Sequence, residues 1–198
     1  MAARTVAEGQ RIPRPPRAVK GGNTAGRMTA LTLFTPIRTQ WVGVLRAAFA
    51  AVPHLPVKVH IIQFNFIKFV RWVVVDKLDD ERLGYPYLLF ESNFDGPWQH
   101  YIDAFAYVIP KDIRFVWGRG VDFPYPPPAE PLKAWIAANS MEGGTYYCAH
   151  PDLSTRQIQS AIAVRDGFEQ FAIDAQGLGP EQFKKAWEEF LTTHQAHL

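Results

Sequence analysis

Cysteine is nearly missing from this chain: Cys148 is the only one in 198 residues. No intrachain disulfide can form, so the fold rests on packing, and a reducing, cytoplasmic setting is the expectation. Long apolar runs are missing too. Lys68 and Arg71 interrupt the stretch from Ile61 to Val75, and no window offers 18 uncharged apolar residues, so a membrane-spanning helix is not expected. The first 27 residues hold no apolar block of the signal-peptide kind. Chemical signatures are equally scarce. The strings H-E-x-x-H, C-x-x-C, G-x-S-x-G and G-x-G-x-x-G and the phosphate-binding P-loop do not occur, and one cysteine cannot build a thiolate metal site. Trp117-Gly118-Arg119-Gly120 has two glycines without the strand–helix context of a phosphate loop, and reads as a turn beside a pocket.

Basic excess is confined to one end. Residues 1–27 carry six basic residues against Glu8 alone, a net charge of +5; the remainder carries 15 basic and 18 acidic residues, a net of −3. The body therefore lacks the electrostatic footprint of a nucleic-acid-binding domain. Residues 1–27 are rich in Pro and Gly and poor in large apolar side chains, so they read as a disordered basic arm that cannot offset its ordering entropy. The arm is an inert extension with Met28 as an alternative start, a transit segment, or a docking element for an acidic protein partner.

The chain is rich in aromatics, with fourteen Phe and six Trp. Residues 28–198 suffice for one domain that buries roughly 70% of its unfolded surface. Residues 28–37 alternate as a strand. Trp41, Val44, Leu45, Ala48, Phe49 and Val52 recur at helical spacing over 39–52. Residues 57–76 are β-branched and aromatic throughout, too long for one strand, so a break is expected near Asn65. Residues 85–94 return as the antiparallel partner, which makes Glu91 the natural mate of Arg71. A helix over 97–109 presents Trp98, Ile102, Phe105 and Ile109, with Asp95 as its cap and Pro110 as its stop. Residues 112–131 read as irregular, 131–139 as a short helix and 144–149 as a strand. Helices over 154–174 and 180–194 follow, the second burying Phe183, Trp187 and Phe190. The fold class is thus α+β: a ferredoxin-like split βαβ antiparallel sheet with extra C-terminal helices. One sheet face is left to be covered by the sheet of a partner chain.

The pairing of Phe69–Asp76 with Tyr87–Phe105 resembles the dimeric α+β barrel superfamily, which includes dye-decolourising peroxidases, chlorite-dismutase-like haem proteins and small monooxygenases. The likeness covers roughly residues 65–108 and the order of elements, and fold does not fix function. The peroxidases carry G-x-x-D-G with a distal Asp; the nearest string here is Ser92-Asn93-Phe94-Asp95-Gly96, in which only Asp-Gly matches and Ser stands in place of the first Gly. The resemblance implies a homodimer, a haem-like cofactor and a proton-shuttling role for Asp95, set against its plainer role as a helix cap. It further implies His150 as an axial ligand, against the plainer reading of a turn residue. Lys68 and Arg71 sit inside an apolar strand. Either they guard an edge or they contact an anion in a barrel pocket lined by Phe69, Trp72, Phe90 and Phe94. His100 lies off the apolar stripe, His60 is placed in the strand region, and Cys148 reads as packing.

Two functions follow from the sequence. One is an oxidoreductase-like barrel, peroxidase- or monooxygenase-related, holding a small aromatic or porphyrin-like ligand. The other is a non-catalytic dimerisation or scaffold subunit whose basic arm docks on a partner.

Overall fold

The computed structural model describes residues 23–54, 64–125, 128–141 and 145–198. His60, most of the basic arm and residues 57–63 of the expected 57–76 strand lie outside them. The chain forms two compact units, residues 1–151 and 152–198. No described helix is long and apolar enough to cross a membrane.

The first unit is a mixed α and β structure on a four-stranded antiparallel sheet. Its strands are β1 (Asn23–Ala25), β2 (Met28–Pro36), β3 (Ile67–Leu78) and β4 (Glu81–Asp95), in the order β1-β2-β4-β3. Its helices are α1 (Val42–Ala51), α2 (Trp98–Val108), α3 (Pro110–Trp117) and α4 (Ala129–Asn139). β3 and β4 form the hairpin expected from the alternating sequence, with Arg71 opposite Glu91 and Val73 opposite Leu89. The expected break appears as a turn at 65–66 and a register shift between Ile67 and Phe69 that leaves Lys68 as the extra, exposed residue.

Alternation along the three long strands sorts the sheet into two faces. On one, the rows Leu33–Phe90–Trp72, Leu31–Ser92–Val70 and Thr35–Leu88–Val74 turn toward the helices. Tyr101, Ile102 and Phe105 of α2, Ile113 and Trp117 of α3, and Trp135 of α4 close over these rows. Each such large apolar side chain contributes roughly 1.5–3 kcal/mol on burial.

Three sequence expectations are corrected here. Residues 23–25, assigned to the arm, pair with Met28–Ala30 as a hairpin. The turn needs Gly26, whose φ is +58° and whose missing Cβ makes room for the Pro151 carbonyl. The strand expected at 144–149 does not form, since 145–148 have no regular structure. Other pieces take its place along the outer edge of β2: β1, a Met141 N–H bonded to the Thr32 carbonyl at 2.8 Å, and a bridge from Ile37 to Gly120. Covering that edge in pieces blocks further pairing there. Pro110 does not simply stop a helix. Its fixed φ and missing N–H suit a first turn, so it starts α3 within a stretch expected to be irregular.

The second unit is a helical hairpin of α5 (Thr155–Asp174) and α6 (Pro180–His194). Ser154 and Gln157 close a capping box at the start of α5. At Gly167 a Cβ would clash with the His194 ring, so α5 and α6 pack closely there. Phe190 is buried among Phe168, Phe171 and Trp187. Phe183 and Trp187, expected to be buried, remain 45% and 36% exposed, because two helices alone cannot enclose a full apolar face.

Candidate functional site

The sheet decides which candidate residues meet. Trp72, Phe90 and Phe94 point to the helix side and are packed into the core, whereas Phe69 and Arg71 belong to the other face. The expected pocket lined by all of them is therefore divided by the sheet itself. On the helix side the space is nearly filled: a cavity among Leu33, Phe90, Phe105 and Trp117 has a volume of about 10 Å³, room for no more than one water molecule.

That filling centres on Tyr101. Its ring stacks on Phe94 with centroids 3.8 Å apart and planes 11° from parallel. Its hydroxyl donates to Ser92 Oγ at 2.7 Å, and the Ser92 hydroxyl donates to the Phe69 carbonyl at 3.1 Å. Ser92 is 1% and Tyr101 2% exposed, so this relay is sealed. Burial pushes the Tyr101 phenol well above its ordinary pKa, and the bond to Ser92 only partly opposes it, so the group stays neutral as a structural donor. Sequence reading placed neither residue in this role. The apolar spacing of α2 includes position 101, but nothing in one dimension links it to Ser92.

The opposite face of the sheet carries the rows Thr32–Glu91–Arg71, Phe34–Leu89–Val73 and Pro36–Tyr87–Val75. Phe34 and Tyr87 stack at 4.3 Å and 11°. Arg71 and Glu91 form a 3.8 Å ion pair with side chains 61% and 36% exposed. Phe69, next along β3 on this face, is 41% exposed. This face thus combines a half-buried, stacked aromatic pair, half-buried aliphatic neighbours and one opposed charge pair.

Asp95 and His150 each lie next to a residue that is hydrogen-bonded to the backbone of Arg27. The Arg27 N–H donates to the Pro151 carbonyl at 2.8 Å, and the Gly96 N–H donates to the Arg27 carbonyl at 2.9 Å. Each candidate is therefore one residue from an end of the same bridge. Arg71 does not join them: its partner Glu91 lies four residues along β4 from Asp95, roughly 13 Å in a strand. Asp95 is not the helix cap. The chain turns at Gly96 and is extended at Pro97, which is the residue preceding the first turn of α2 and makes no side-chain cap. His150 is exposed on a bend, and Lys68 is exposed at the bulge. The residues singled out for a haem do not enclose one: Trp72 and Phe94 are core, while His150 and Lys68 lie at the surface. Among the described residues, no cluster of three or more His, Cys, Asp or Glu could hold a metal ion. Comparison with known proteins finds no matching family model, no matching curated protein and no matching solved structure.

Proposed function

We propose that the protein is a non-catalytic assembly subunit whose working surface is the open face of its sheet, covered by the same face of a second copy. The observation that carries this reading is the Phe34–Tyr87 stack beside Leu89 and Val73, with Arg71 and Glu91 paired in its midst. Two such faces present apolar area to each other, and a charge pair already neutralised on each side lowers the desolvation cost of contact. The strand order supports the ferredoxin-like part of the reading with one change: β1, rather than a C-terminal strand, fills the outer place beside β2. Leu89→Glu puts an unpaired charge at the centre of the face without touching the helix-side core. The native mass of the wild-type chain is expected to exceed that of the variant by a factor of two or more; equal masses refute the reading.

A second reading keeps the oxidoreductase-like function with a flat aromatic or porphyrin-like ligand. What favours it is the backbone of Arg27, which is hydrogen-bonded to a neighbour of Asp95 and to a neighbour of His150. Titration with haemin, followed in the Soret region, tests it. A band that His150→Ala abolishes supports the reading, and a spectrum indifferent to that substitution removes it.

A further inference from the structure

Two arginines are fixed side by side where β2 runs on toward α1, and the sheet-face reading uses neither. Ile37 pairs with Gly120 in an antiparallel bridge. On one side of it the Val121 N–H donates to the Pro36 carbonyl at 3.0 Å, and on the other the Arg38 N–H donates to the Arg119 carbonyl at 3.4 Å. That register sets Arg38 directly opposite Arg119. Residues so placed in an antiparallel pair project from the same side, with Cβ atoms roughly 4.5–5.5 Å apart. The base beneath them is tight: Ile37 is fully buried, and a Cβ on Gly120 would press on Trp135 and Thr35.

Like charges directly opposite each other on a ladder repel, so this pair costs the fold stability unless something balances it. Both side chains are exposed, and among the described residues neither is in an ion pair. Arg38 also stands immediately before the helical turn Thr39–Trp41, which leads straight into α1, and neither segment has an acidic residue in its first turn. A cation at a helix start is opposed by the helix dipole. Arg119 is held in place: its guanidinium carbon lies 3.8 Å from the centroid of the Trp41 ring. Stacking on the indole orients the planar group and reduces the side-chain entropy lost when its N–H groups engage a partner. The donors set the chemistry of that partner. Two guanidinium groups offer two N–H forks and two positive charges. A carboxylate, with two oxygens and one charge, fills a single fork, whereas a phosphate group brings at least three acceptor oxygens and nearly two negative charges, enough for both.

We propose that Arg38 and Arg119 form a clamp for one phosphate group, with Arg119 aimed by its stack on Trp41. The ligand is a free phosphate ion or the phosphate of a small phosphomonoester. The clamp goes beyond the sheet-face reading and does not rest on it.

Isothermal titration calorimetry of the full-length chain tests it, with inorganic phosphate, phenyl phosphate and acetate as probes at constant ionic strength. The wild-type chain is expected to bind phosphate with a Kd of about 1 mM or tighter, and acetate more weakly. Arg38→Gln and Arg119→Gln are each expected to weaken phosphate binding at least about tenfold, because each removes charge-assisted hydrogen bonds. Arg27→Gln removes the same charge next to the opposite end of β2 and is expected to bind as the wild type does. Phenyl phosphate binding as tightly as inorganic phosphate identifies a monoester as the ligand; binding of inorganic phosphate alone identifies the free ion. Far-UV circular dichroism confirms that each variant is folded, which these exposed positions allow. A wild-type chain that binds neither phosphate probe overturns the proposal, as does acetate binding as tightly as phosphate. A clamp variant that binds like the wild type, or an Arg27→Gln variant that loses as much as the clamp variants, overturns it as well.

Discussion

Replacing Ser92 with Ala is expected to harm the fold more than replacing Tyr101 with Phe, although tyrosine is the larger side chain. Tyr101→Phe removes a hydroxyl but leaves Ser92 still donating to the Phe69 carbonyl. The loss is one net hydrogen bond, about 1 kcal/mol. Ser92→Ala instead strands the Tyr101 hydroxyl in a site that is 2% exposed, with its Ser92 acceptor gone. A buried donor without a partner costs roughly 1–3 kcal/mol, and the small void left by the missing oxygen adds to it. The double variant removes both polar groups together, so its loss is expected to be no larger than that of Ser92→Ala alone. Urea unfolding of the four proteins, with a common slope, gives the cycle directly. Strict additivity, or a Tyr101→Phe loss exceeding that of Ser92→Ala, refutes the sealed relay.

Two further outcomes follow from local geometry. Asp76 is held below the ordinary carboxylate pKa chiefly by its hydrogen bonds from Arg46. The lowered folded-state value means that its stabilisation is present above the unfolded pKa of about 3.9 and is lost as pH falls through the folded value. The stability gap between wild type and Arg46→Met, read by thermal unfolding across pH, is therefore expected near neutrality and is expected to close in acid; a gap that persists below pH ~2 contradicts the pairing. Gly26→Ala sets a Cβ against the Pro151 carbonyl oxygen at a φ of +58°. A loss of roughly 1–3 kcal/mol is expected from the strained backbone, with more from the clash; a neutral substitution in a denaturant titration refutes the placement of the β1–β2 turn.

What could be read in the sequence was whatever a single element carries. The β3–β4 hairpin follows from alternation and its polar Asp79-Asp80 turn, and the Arg71–Glu91 pair follows from its register. Helices α2, α5 and α6 follow from apolar spacing and terminal signals, and their observed bounds differ from those expected by a residue or so. What could not be read depends on partners distant in the chain. Asn23–Ala25 becomes a strand only because Gly26 turns against Pro151 and β2 offers an edge. The 144–149 segment has strand character but finds that edge already taken. The same applies to the candidate site. Trp72 and Arg71 are sequence neighbours, yet the pleat sends one into the core and the other to the open face, so a shared pocket was excluded by a period of two. Conversely, Asp95 and His150 are 55 positions apart, yet each lies next to a residue hydrogen-bonded to the backbone of Arg27, which no side-chain pattern announces.

The central claim is that the open face of the sheet is covered by its counterpart in another copy. Hydroxyl-radical labelling at increasing protein concentration tests it most directly. Phe34 and Tyr87 are expected to become protected as concentration rises, while Tyr107 and Tyr147, 77% and 82% exposed, react equally throughout. Labelling of Phe34 and Tyr87 that does not change with concentration, at a constant low native mass, contradicts the account.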